Sequence, residues 1–133
     1  MKNIAIKTIC ALVGIFGLVV LITIPALYLQ GFYAPMGHEV AALKISSSVV
    51  RGAFLIVCAL AAWRYNFRAA WLAWGAFAAF FIGGAADQVI KHGVVNGFEN
   101  LIPAYYIASA VHALVAIALW LLLPKPDACS VRG

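Results

Sequence analysis

Residues 8–29 read TICALVGIFGLVVLITIPALYL, 22 consecutive positions without Asp, Glu, Lys or Arg. As an α-helix rising 1.5 Å per residue they reach about 33 Å, enough to cross the roughly 30 Å hydrocarbon core of a bilayer. Lys2 and Lys7 precede the run, as in a secretory leader, but the apolar part of a leader spans only about 7–15 residues. A retained membrane span is therefore expected, with its helix beginning near Ile4.

Three further apolar stretches of similar length follow, Val40–Trp63, Ala69–Ile90 and Leu101–Leu123. Of the 133 residues 66% are hydrophobic and 10% charged, against about 25% charged in a soluble domain. Too few charged side chains are present to cover a water-exposed surface. The expected fold is all-α, a membrane-spanning antiparallel four-helix bundle over residues 1–124, with helices at about 4–29, 40–63, 69–90 and 101–123 and a tail at 125–133. No internal repeat is visible.

Gly31, Pro35 and Gly37 mark one loop, and Gly93 with Gly97 another; Pro103 suits an opening helical turn and Pro124 a stop. Trp63–Arg68 is so short a link that the helices it joins must be antiparallel neighbours. Lys2, Lys7, Arg64, Arg68, Lys125 and Arg132 gather at this link and the two termini, opposed there only by Asp127. Cytoplasmic loops hold such an excess, so both termini are expected on the cytoplasmic side of a bacterial inner (plasma) membrane. Trp63, Tyr65, Trp71, Trp74 and Trp120 fall at the same boundary, as an interfacial aromatic belt does.

The net charge of +5 and pI near 9.4 thus come from loops and not from a basic face, which argues against nucleic acid. Cys10, Cys58 and Cys129 form no CxxC pair, and no disulfide framework is expected. His38, His92 and His112 have no HxxxH spacing, and His38-Glu39 lacks the second histidine of HExxH. No metal site is expected, no cofactor is assigned, and axial haem ligation by His112 alone stays open. GxSxG, P-loop and dinucleotide fingerprints are absent from the sequence.

Ionisable groups inside a span are costly and usually face protein or a water-filled cavity. Lys44, Ser47, Ser48 and Arg51 recur at i, i+3, i+4 and i+7, one face of the second helix. Arg51 lies about 20 Å along the axis from Arg64, in the outer half. Gly75, Ala79, Gly83 and Asp87 follow at four-residue steps, a stripe of small residues that permits close helix approach and ends in a carboxylate. Tyr105, Ser109 and His112 share a face of the last helix, with His112 near the depth of Arg51.

Ligand-binding candidates are therefore Arg51, Asp87, His112, Ser47, Ser48, Ser109 and Tyr105; Asp87, His112 and Arg51 are the candidates for catalysis. Two readings compete. In one, Arg51 pairs with Asp87 to fix helix packing; in the other, the layer is a ligand or substrate site. The serines suit bonds to their own helix, and Lys44 suits snorkelling outward.

Arg51-Gly52 leading an apolar helix, the basic turn Arg64–Arg68, Gly83-Gly84 and a glycine-containing outer loop resemble the small four-helix DoxX-like membrane proteins and a related uncharacterised family. The resemblance spans nearly the whole chain. It implies a compact antiparallel bundle, sometimes associated with redox or quinone-linked complexes, without a settled reaction. Ser47 and Ser48 stand where the family carries an Asn-Glu pair, and Asp87 where it carries a basic residue, so no catalytic residue transfers.

The leading expectation is a membrane binding or accessory protein with a polar pocket for a small amphipathic ligand or a lipid. It would pack among membrane lipids as a homo-oligomer or in a larger complex. One alternative is a small membrane enzyme doing acid/base chemistry on a hydrophobic substrate. Another is a proton or ion pathway in an oligomer.

Overall fold

The computed structural model describes residues 1–99 and 101–126; Cys129, Arg132 and most of the expected tail lie outside the described residues. Every regular element described is helical: α1 Lys2–Leu29, α2 His38–Trp63, α3 Arg68–His92, α4 Val94–Glu99 and α5 Pro103–Leu122. α1, α2, α3 and α5 are each long and apolar enough to cross a membrane. Lys2, Trp63, Arg68 and Leu122 end these helices at what is here called the proximal end; Leu29, His38, His92 and Pro103 lie at the distal end.

Contacts pair rising residue numbers on one long helix with falling numbers on the next. Gly14 lies against Ala59, Gly17 against Leu55, and Gly52 against Leu21. Across α2 and α3, Phe54 covers Gly75 and Ser47 covers Gly83. Across α3 and α5, Trp71 meets Trp120 and Phe80 meets His112. Each long helix packs mainly on its predecessor, and α1 touches α5 only slightly.

Small residues make these approaches possible. A Cβ on Gly17 would stand 3.0 Å from both Leu55 and Ile56, and one on Gly83 would overlap the Ser47 side chain, 2.6 Å from its Cβ. Close backbones gain van der Waals contact where the surroundings supply no hydrophobic drive. The core is built the same way, with Ala69, Ala73, Ala76, Ala116 and Leu119 buried against Ile6, Cys58 and Leu55 in the proximal half. Leu12, Ile15, Leu18, Ile22, Leu60 and Leu114 point outward and are exposed, so the helices' outer surface is apolar too.

The connections follow local rules. At the end of α1, Gly31 takes a left-handed φ of +71°, Phe32 N–H reaches the Leu27 carbonyl, and Gly31 N–H reaches that of Tyr28. This double closure satisfies helix-end carbonyls and turns Phe32 and Tyr33 back over the bundle. The α2–α3 turn repeats it with Tyr65 at φ +54°, and the Asn66 side chain accepts from Arg68 N–H.

Between α3 and α5 the structure departs from the expected plain loop. Gly93, at φ +79°, ends α3, and α4 then folds back so closely that a Cβ on Gly97 would stand 2.7 Å from the Val89 backbone. Gly97 is therefore a buried contact point and not an exposed loop tip.

Candidate functional site

A cavity of about 220 Å³ opens in the distal half. α2 presents Lys44, Ser47, Ser48 and Arg51 along one wall; α3 supplies Ala79, Phe80, Gly83 and Gly84 opposite. Leu27, Phe32, Tyr33 and Tyr105 complete the lining. The four α2 residues are the i, i+3, i+4, i+7 set, so helical periodicity alone brings them to one wall. Two larger hollows differ in character: about 420 Å³ lined by Trp71, Trp74, Ile117, Trp120 and Leu121, and about 570 Å³ beside the 30–37 connection. Neither is lined by any of the site candidates.

Arg51 does not pair with Asp87. Lys44 Nζ lies 2.8 Å from Asp87 Oδ2, and Lys91 Nζ 3.0 Å from Oδ1, the latter an ion pair without directed hydrogen-bond geometry. The register explains the correction. With Ser47 opposite Gly83, Lys44 falls opposite Asp87, while Arg51 falls opposite Phe80, about 10 Å along the axis. Lys44, expected to snorkel outward, instead holds the carboxylate.

Asp87 is 3% exposed and enclosed by the bundle, whereas its two lysines reach the surface in part. Arg51 has no hydrogen bond or ion pair among the described residues, and its Nε is buried without a partner. Its guanidinium carbon lies 4.8 Å from the centre of the Phe80 ring and 6.0 Å from that of Phe16. Such contacts stabilise the positive charge but accept no N–H hydrogen bond of ordinary strength.

His112 stacks on the same Phe80, centroids 4.7 Å apart and planes 8° from parallel, and meets Phe16 edge-on at 5.8 Å. Phe16, Arg51, Phe80 and His112 thus form one layer with a residue from each long helix. The His112 Nδ1 bonds the Ala108 carbonyl at 2.8 Å, leaving a buried Nε2 without a partner. His112 does not line the cavity, and Asp87 adjoins it only through Lys44.

The hydroxyls divide. Ser47 donates to the Lys44 carbonyl and Ser109 to that of Tyr105, each within its own helix, whereas Ser48 makes no hydrogen bond among the described residues. Tyr105 donates to the Phe81 carbonyl and packs so tightly on Gly84 that no Cβ fits there. It fastens α5 to α3 while its ring lines the cavity.

Of the candidates, Arg51, Ser47, Ser48 and Tyr105 share the cavity; Asp87, His112 and Ser109 stand behind it. Phe16 and Phe80 carry no distinguishing signal in the sequence, since an aromatic residue in an apolar helix looks like any other; Phe32 and Tyr33, which the sequence offers as interfacial aromatics at the distal boundary, line the cavity. Among the described residues no group of three His, Cys, Asp or Glu could hold a metal ion. Comparison with protein-family models, with curated proteins and with solved structures finds no match.

Proposed function

We propose that the chain is an integral membrane binding protein, an antiparallel four-helix bundle whose distal cavity holds the polar end of a small amphipathic ligand or lipid. The observation that carries this reading is Arg51, a cation on a helix long and apolar enough to cross a membrane, whose Nε is buried without a partner and which meets no acceptor among the described residues. Intramembrane charge without a structural partner is expensive and marks a functional position. Apolar walls with a few convergent polar groups are the usual form of a ligand pocket.

The acid/base alternative draws less support. Asp87 is already held by two lysines and His112 does not line the cavity, so neither stands where a bound substrate would meet it. A proton path would need both in one connected layer.

Protein released from its membrane in a mild neutral detergent should carry a non-covalent adduct in native mass spectrometry. Arg51→Leu should cut its occupancy at least tenfold, about what one charge-assisted hydrogen bond contributes. An adduct-free wild type, or equal occupancy in Arg51→Leu, would remove the reading.

The proposal includes orientation: the proximal end, with Lys2, Lys7, Arg64, Arg68 and Lys125, faces the cytoplasm of a bacterial inner membrane. Gly37 and Glu99 are exposed at the distal end and suit single-cysteine reporters, as buried Gly97 does not. In a background without the native cysteines, both should react with an impermeant thiol reagent on intact cells. Reaction only after lysis would invert the topology.

A further inference from the structure

We infer that the headgroup bound in the distal cavity is an anion, a carboxylate or phosphate, with an acyl chain attached. This rests on the binding reading above and specifies the ligand's chemistry.

Charge balance gives the first argument. Three cations, Lys44, Lys91 and Arg51, stand in the distal half of α2 and α3 against one buried carboxylate, Asp87. Glu39 and Glu99 are exposed and pair with none of them among the described residues. Lys44, Asp87 and Lys91 together carry one net positive charge, and Arg51 adds a second that no carboxylate among the described residues offsets. Arg51 is half-buried, its Nε is out of reach of solvent, and it has no counter-charge among the described residues, a deficit that a bound anion removes.

Donor geometry gives the second. A guanidinium offers five N–H groups and no acceptor, so it recognises acceptor-rich planar or tetrahedral anions. Ser48, one turn back on α2, adds a free hydroxyl to the same wall. Phe80 and Phe16 hold the guanidinium from the side without satisfying its donors.

The walls give the third. Leu27, Phe32 and Phe80 are apolar, and about 220 Å³ accommodates a carboxylate or phosphate with only the first part of a chain. The rest must leave the cavity. Leu27 on α1 and Tyr105 on α5 both line it, and because these two helices touch only slightly, the seam between them is the way out to the lipid that this reading assigns to the chain.

The test uses the full chain in a neutral maltoside detergent, with binding read by native mass spectrometry and by thermal shift. Oleate and dodecyl phosphate are compared with uncharged oleyl alcohol, and with acetate and inorganic phosphate lacking a chain. Oleate should bind at least tenfold more tightly than oleyl alcohol, Arg51→Leu should abolish that preference, and Arg51→Lys should keep part of it. Ser48→Leu retains the charge while filling the cavity, and should abolish binding of both amphiphiles. It decides the matter if Arg51→Leu fails to fold.

Competition by inorganic phosphate or acetate at the affinity of the amphiphiles would identify a free anion as the source and overturn the chain requirement. Equal binding of oleate and oleyl alcohol in the wild type would overturn the anionic headgroup while leaving the binding reading intact. Failure of every amphiphile to bind would remove both.

Discussion

Gly83→Leu should yield little folded protein, with destabilisation above about 3 kcal/mol, because overpacking at a backbone contact leaves no room for relaxation. Even one added carbon would overlap the Ser47 side chain, and three more would force α2 and α3 apart at the register that sets Lys44 against Asp87. The control is Ala78→Leu, five residues earlier on the exposed side of α3, which should stay near wild type. Thermal unfolding and size-exclusion profiles in detergent separate the two. Similar profiles for both variants would mean that the α2–α3 contact tolerates separation.

The double change Lys44→Leu with Lys91→Leu is expected to cost about 3–5 kcal/mol, the penalty for leaving a buried charge uncompensated. Either single change should cost less than half of that, since Asp87 keeps one ammonium within 3.0 Å. Adding Asp87→Leu to the double variant should restore most of the stability, because an apolar replacement removes the orphaned charge. Arg51→Leu should shift stability little, as no carboxylate depends on it among the described residues. A large loss in Arg51→Leu that Asp87→Leu repairs would reinstate the Arg51–Asp87 pair and refute the register.

What the sequence reveals here is a matter of which signals are local. The four long helices end within two residues of their expected bounds, since apolar run length and Gly/Pro punctuation are local properties. The polar wall of α2 follows from 3.6-residue periodicity and is as local. The partner of Asp87 is not. Depth along an axis placed Arg51 within stretching distance, but the offset between α2 and α3 is fixed by Ser47 seating on Gly83, a tertiary contact.

α4 was hidden for a related reason. Gly93 and Gly97 read as loop glycines, yet the second has no positive φ and serves instead to let a short helix lie against Val89. Phe80 has no sequence signal at all: its place between Arg51 and His112 exists only once α2, α3 and α5 are assembled.

The slight contact between α1 and α5 bears on how such a chain matures. The long helices are joined as an open file, each docked on the one made before it, so none waits for the last to arrive before it can settle. α2 can seat on α1, α3 on α2, and α5 on α3 in the order in which a ribosome delivers them. Lys44 would then lack its counter-charge only until α3 brings Asp87 to it. The seam between first and last helix is what such an order of docking would leave.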